Sequence, residues 1–297
     1  MTALKHGDLF PNEIVTDIFN KVKGHSTLAK LANQQAIPFA GTEEFIFNLE
    51  GNAQIVGEGE AKKDGKATLE SKVIKPVKIV YQARITDEFK YVTQEKQLNY
   101  LKAFIDGYAV KIAQAFDIAA LHGLEPRSMT DASFKATNSF DGLVTDNVIE
   151  YNATSIEDDI DTAVQTVVLN DGDVNGLALS PQAASALGKV KVNGVVQYPE
   201  FRFGGRPNSF HGMNTDVNKT LTMVGEGAEK DHVIVGDFVN SFKWGYAENI
   251  PLEIIEYGDP DGLGRDLKHY NEILLRAEAY IGWGILLPEI FARIVEE

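Results

Sequence analysis

From residue 94 to residue 122 apolar side chains recur every three or four positions: Leu98, Leu101, Phe104, Ile105, Tyr108, Ile112, Ala115, Phe116 and Ala119. That spacing predicts one amphipathic helix, with Thr93 as its cap and Gly123 as its stop. At about 1.5 Å per residue it would run roughly 43 Å, which points to an elongated body. Elsewhere the period is two. Val77, Ile79, Tyr81, Ala83 and Ile85 alternate with Lys78, Gln82 and Arg84, and Ile273, Leu275, Ala277, Ala279 and Ile281 alternate with Arg276, Glu278 and Tyr280. Both patterns predict strands with one buried face. Shorter strand signals lie at LAL (177 to 179), HVIVGDF, NSFKWGY and PLEIIEY, with TDNVI a weak one. Ser155 and Asp158 read as a capping box before a helix whose Ile156, Ile160, Ala163, Val164, Val167 and Val168 line one face. Ser180 and Pro181 open a further helix over QAASALGKV.

The first 40 residues hold two short helical patterns. Asn12 can cap a segment with Ile14, Val15, Ile18, Phe19 and Val22 on one face, and Ser26 can cap TLAKLA. Neither is long enough to stand alone, so the piece reads as an arm that must dock on something. Two extended segments, FIFNLE and KVIKPVKIVYQARIT, flank the stretch GEGEAKKDGKATLE at 57 to 70. The stretch then reads as the polar tip of a long hairpin, Glu58, Glu60 and Asp64 balancing Lys62, Lys63 and Lys66. A two-stranded hairpin is marginal in water and needs a partner surface.

The chain has 297 residues, 44% of them hydrophobic, enough for a real core, and a formal charge of -15. That charge argues against free binding to nucleic acid or anionic membrane, which require a basic footprint. From Asp141 to Asp173 there are nine acidic residues and no Lys or Arg, most simply a solvated helix face with its loops. With no cysteine, disulfides, thiolate nucleophiles and Cys-based metal sites are excluded. No apolar signal core opens the sequence and no run is long enough to span a membrane, so a cytosolic origin is expected.

Catalytic and ligand motifs are mostly missing. Gly59 and Gly65 are spaced one residue too far for a phosphate loop, Ala67 stands where the metal-binding hydroxyl belongs, and Glu58 and Glu60 would repel the anion. DGDVNG (171 to 176) begins like a calcium loop with Asp171, Asp173, Asn175 and Gly176, but Gln182 stands where the bidentate Glu is required. His6, His25, His122, His211, His232 and His269 are scattered. Ser180 lacks a nucleophile elbow, and capping explains it. Trp244 and Trp283 follow strand periodicity and are expected in the core. The expectation is no catalytic residue, no cofactor and no metal.

The order of the parts is more specific than any motif. A helical arm, a hairpin opening with GEGEAK, a long helix ending in Ala-Leu-His-Gly, a lobe containing LALSPQAASAL and a closing VIVGDFVNSFKWGY…IPLEII…NEILLRAEAYIGWGILLPEIFARIV together resemble the major capsid proteins of tailed bacteriophages. The resemblance implies an α+β chain of the Hong Kong 97-type fold. Its parts would be an N-terminal arm (1 to 44), an extended loop (45 to 85), a peripheral domain (86 to 152 and 251 to 297) with a spine helix at 94 to 122, and an α/β axial domain (153 to 250). It further implies a non-enzymatic homo-oligomer of hexamers and pentamers tiling an icosahedral shell around double-stranded DNA. Such a shell is assembled in the bacterial cytoplasm, with scaffolding, portal and decoration proteins as partners and no membrane. The tip residues Glu58, Glu60, Lys62, Lys63, Asp64 and Lys66 would touch a neighbouring subunit. Some relatives weld subunits through a Lys to Asn isopeptide bond, for which three lysines on a polar tip are weak support. An encapsulin-type compartment is the alternative that keeps the fold, and an enzyme with a site in the α/β lobe is the alternative that abandons it.

Overall fold

The computed structural model describes residues 25–50, 53–62, 64–247 and 252–296. The helix expected to follow Asn12 lies outside these. In chain order the main elements begin with α1 (Thr27–Leu31), β1 (Thr42–Glu50), β2 (Lys66–Ile74), β3 (Val77–Thr86), α2 (Gln94–His122), β4 (Val148–Glu150) and α3 (Ile156–Leu169). They continue with β5 (Gly176–Leu179), α4 (Pro181–Leu187), β6 (Ser209–Phe210), β7 (Met213–Val217), β8 (Lys230–Gly236), β9 (Phe242–Tyr246), β10 (Leu252–Ile255), β11 (Glu272–Ile285) and β12 (Phe291–Glu296).

β11 organises one sheet. Along one edge it pairs with β3, Glu272 opposite Thr86 through Ile281 opposite Val77. Along the other edge β10 and β9 follow each other end to end, Leu252 opposite Ala277 and Tyr246 opposite Ile281. The buried face of this sheet receives α2. Phe116 meets Trp244 at 5.4 Å and Trp283 at 5.7 Å between ring centroids, and both indoles are fully buried. Helix α2 ends as its sequence demands: Gly123 adopts φ +63, a left-handed conformation that glycine takes without a Cβ clash, and its N–H bonds to Ala119 O.

A second sheet runs β6-β7-β5-β8-β12-β4, mixing parallel and antiparallel pairs. β5 and the VIVG end of β8 read as unbroken apolar runs because both faces are covered: α3 lies on β8 and β12, α4 on β5 and β8, and α1 on β5 and β7. The pairings cross two boundaries expected from sequence. β9 joins the β11 sheet although it falls within 153 to 250, and β4 and β12 join the six-stranded sheet although they fall within 86 to 152 and 251 to 297.

Three local readings need correction. The run KVIKPVKIVYQARIT is not one strand: β2 ends at Ile74, β3 starts at Val77, and they belong to different sheets. Pro76 between them has no N–H to donate to a ladder. The hairpin's return strand therefore begins inside the expected tip, at Lys66. At the head of α3, Ser155 makes no capping bond to the helix backbone; its hydroxyl donates to Asp159 Oδ1 at 3.3 Å, while Asp159 Oδ2 accepts from Asn152 N, so Asp159 and not Asp158 closes that end. Val168, expected on the buried face, is 56% exposed.

The leading segment docks on its own chain. Ser26 caps α1 by accepting from Ala29 N, and Leu28, Ala29, Leu31, Ala32 and Ile37 are buried. Asp117, fully buried on α2, anchors it: its carboxylate accepts from Ser26 Oγ (2.5 Å), Thr27 N (2.9 Å), Leu28 N (3.4 Å) and Thr220 Oγ1 (2.9 Å). Burial pushes Asp117 up to about 6, against these donors, so it is ionised at neutral pH and faces the positive end of α1. Truncating it to alanine would leave four donors buried without an acceptor, at a cost of roughly 3–4 kcal/mol. Asp117→Ala is therefore expected to lower the urea midpoint and to open protease cleavage between residues 26 and 37 before the rest of the chain is cut.

Candidate assembly surface

β1 and β2 form a ribbon of nine antiparallel pairs, from Thr42 opposite Ile74 to Glu50 opposite Lys66. Alternation puts Phe45, Phe47, Leu69 and Val73 on one face, and all four are exposed, by 58%, 68%, 56% and 52%. Phe47 sits directly opposite Leu69. Among the described residues none covers this stripe fully. The opposite face is held to the body near its root. Glu44 pairs with Lys243 at 2.8 Å, Lys72 Nζ donates to Ile285 O at 2.5 Å, and Ile74 is buried over Gly284, where an added Cβ would meet it at 2.8 Å. Burial lowers the Lys72 pKa.

The tip residues nominated from sequence fall on the turn beyond. Glu58, Glu60, Lys62 and Asp64 are exposed, and Lys66 opens β2 opposite Glu50. Glu60 folds back to accept from Gly57 N at 3.2 Å, and Gly59 takes φ +83 in the same turn. Lys63 lies outside the described residues. The structure thus joins Glu60 to the turn backbone and leaves the other described tip charges extended into solvent. Sequence reasoning weighted these charges and passed over the apolar stripe, although the alternation of Phe45 and Phe47 with Glu44 and Ile46 was a signal that could have found it.

The groups with chemical potential are buried in the body and act there as staples. His122, the last residue of α2, meets Asp141 Oδ2 through Nδ1 at 3.1 Å, and its Nε2–H donates to Thr220 O at 3.1 Å. Asp231 on β8 lies 3.8 Å from the same Nδ1. Arg293 on β12 donates to Asp231 Oδ1 (2.9 Å) and Asp141 Oδ1 (2.7 Å). Among the described residues His122, Asp141 and Asp231 alone bring three ligand atoms within 4.8 Å in the manner of a metal site. Arg293 and His122 already face both carboxylates, which leaves Asp231 Oδ2 buried without a hydrogen bond and no open position for an ion. Asp171 and Asp173 do not converge; Asn175 bonds to Asp237 and Gly176 enters β5.

Ser180 also finds a histidine. Its hydroxyl oxygen accepts from Ala183 N (3.1 Å) while the proton goes to His232 Nδ1 (2.9 Å), and His232 Nε2 donates to Glu296 at 3.2 Å. The order resembles a nucleophile relay, but Ser180 is fully buried and spends its lone pair on the helix. The Tyr151 ring stacks on the imidazole at 3.8 Å, and burial lowers its pKa, keeping His232 neutral. The trio ties α4 to β8 and β12.

The staple titrates with a definite sign. Burial lowers His122, but the Asp141 hydrogen bond and the charges of Asp141 and Asp231 outweigh it, leaving its pKa raised. Burial raises Asp231 despite Arg293. Burial also raises Asp141, yet His122 and Arg293 overcome it and hold it low. Groups with raised folded pKa values lose their stabilising contribution as pH rises through those values, and the depressed Asp141 loses its own as pH falls below 3.8. The melting temperature should therefore be higher near pH 5.5 than near pH 8, and the difference should narrow in Asp231→Asn, as read by calorimetry across that range.

Comparison with known proteins places these features. A family model described as "Phage capsid family" matches residues 6–295. A solved structure from Mycobacterium phage Ogopogo is 30% identical, with 92% of each chain covered and a TM-score of 0.77. One from Gordonia phage Cozz is 22% identical, covering 92% of this chain and 87% of that one with a TM-score of 0.73. A structure titled "Capsid of native GTA particle computed with C5 symmetry" is 13% identical, covers 91% and 89%, and has a TM-score of 0.62. No curated protein sequence matches the chain.

Proposed function

The chain belongs to the phage capsid family, and from that premise we propose that its copies close into hexamers and pentamers that tile a shell around double-stranded DNA. It is a structural protein of the icosahedral capsid, located in the virion, with the Hong Kong 97-type fold. In this reading 1 to 44 is the arm, 45 to 85 the extended loop and 94 to 122 the spine of a peripheral domain (86 to 152 and 251 to 297). Residues 153 to 250 are the axial domain, with β9 given to the peripheral sheet and β4 and β12 received from the peripheral segments.

The exposed apolar face of the β1–β2 ribbon carries the proposal. Fully burying a Phe, Leu or Val side chain contributes about 1.5–3 kcal/mol, and these four are already partly covered. One ribbon contact then offers roughly 3–6 kcal/mol, no more than the 4–15 kcal/mol that association costs. Two copies would not hold through a single ribbon. Several contacts closing at once would, and a ring or shell supplies them. The tip residues Glu58, Glu60, Lys62, Lys63, Asp64 and Lys66 would lie on the neighbour beyond the apolar stripe. The charge of -15 suits a wall that encloses DNA without gripping its sequence. Scaffolding, portal and decoration proteins are the further partners this role calls for.

Electron microscopy of the purified chain is expected to show shells built of rings. The combined substitution Phe45→Ser, Phe47→Ser and Leu69→Ser should lower shell yield at least tenfold while circular dichroism and melting stay near those of the parent. Normal shells from that variant, or only compact monomers from the parent, would overturn the reading. Double-stranded DNA recovered from phage-derived shells supports the enclosed cargo, and a protein cargo in its place would favour the encapsulin-type alternative.

A further inference from the structure

The lobe built on the six-stranded sheet carries a second pair of unmatched features. The first is a loop tip. Phe201 is buried (1% exposed) against Phe210, at 5.2 Å between ring centroids, and anchors the loop. Two residues on, Phe203 is 100% exposed and held at φ +56, a left-handed conformation rare for a bulky residue. Arg202, its guanidinium 5.4 Å from the Phe203 ring, and Arg206 are exposed on either side. The second feature is a cavity of 560 Å³ between α3 and α4, rimmed by Glu157, Asp158 and Asp161 and floored by apolar side chains including Val164, Leu187 and Met213. Among the described residues no ion pair within the chain neutralises Arg202, Arg206, Glu157, Asp158 or Asp161, although Glu157 accepts from the Tyr198 hydroxyl and Asp161 from Gln165 Nε2, each at 2.6 Å.

We propose that Phe203 of one copy enters this acidic cavity on the next copy, with Arg202 and Arg206 against Glu157, Asp158 and Asp161, so that each copy gives a knob and receives one. Such a contact is head to tail, and head-to-tail contacts either close into rings or run on as filaments. The occupant follows from charge. A second cavity of 320 Å³ lies beside the loop itself, but Lys189, Arg202 and Arg206 rim it and would repel another arginine-flanked tip. The acidic cavity attracts one. A bulky exposed aromatic flanked by two arginines is also the composition of interface anchors, which concentrate Phe, Tyr, Trp and Arg in desolvated pockets.

The inference rests on the ring-forming reading above, and the test separates the two. Charge reversal on the tip (Arg202→Glu with Arg206→Glu) and on the cavity (Asp158→Lys with Asp161→Lys) should each reduce ring formation at least tenfold by light scattering. Combining all four should restore it to within about threefold. All these residues are exposed, and Asp158→Lys in the first turn of α3 should lower the melting temperature only slightly, with no recovery of it in the combined variant. Because the chain has no cysteine, a second arm is clean: Phe203→Cys with Met213→Cys should give, in oxidised rings, an interchain ladder on a denaturing gel that neither single substitution gives. Parent shells with unaffected charge-reversal variants, a four-fold variant no better than its parts, or no ladder from assembled double-cysteine protein would overturn the contact and leave the shell reading standing. Failure of the parent to form any ring would instead remove the shell reading itself.

Discussion

The contact of Phe116 with Trp244 and Trp283 fixes the placing of the other parts, because it sets helix α2 against the strand that gathers the first sheet. Once that helix is seated, its C-terminal end carries His122 to Asp141, Asp231 and Arg293, and so delivers it to the second sheet. One turn earlier Asp117 receives the leading segment. A rigid rod of 29 residues thereby serves as the common reference for both sheets and for the arm. The aromatic contact supplies the burial, whereas the ionic contacts at the helix end supply direction, since a misplaced buried charge is costly and a misplaced methyl is cheap.

Much of this was legible where the period is strong. The helix at 94 to 122, the long alternating strand at 272 to 285, the Ser180–Pro181 helix start and the burial of both tryptophans follow from spacing alone, because each is decided by neighbours within a few residues. What was not legible is decided by distant ones. Nothing near Phe291–Glu296 says that it pairs with β8 and β4, and nothing near Phe242–Tyr246 says that it pairs with β11. The exchange between Asp158 and Asp159 at the head of α3 has the same origin: both residues satisfy the local pattern, and the turn at Asn152 selects one. The leading segment was expected to seek a partner, and in its described part the partner is the chain's own body.

The proposed assembly surface was legible in outline only. A hairpin could be placed from two extended segments, but which of its residues matter depends on what the body covers, and composition drew the eye to the lysines of the tip. The structure shifts the weight to Phe45, Phe47, Leu69 and Val73, since a solvated charge loses little by staying solvated and a solvated phenylalanine does. The two clusters, four groups around His122 and three around Ser180, show the converse. Residue types associated with catalysis are here bonded to one another, and their work is to hold elements of distant sequence together.

The joint at Lys75–Pro76 has a mechanical outcome. The ribbon is continuous with β3 by chain but not by ladder, and it leans on the body through Glu44, Lys72 and the socket that Ile74 fills over Gly284. Changing its inclination disturbs three side chains and no run of strand pairing. In the proposed shell, a tile with such an articulated strut would meet neighbours at unequal slopes without a second design.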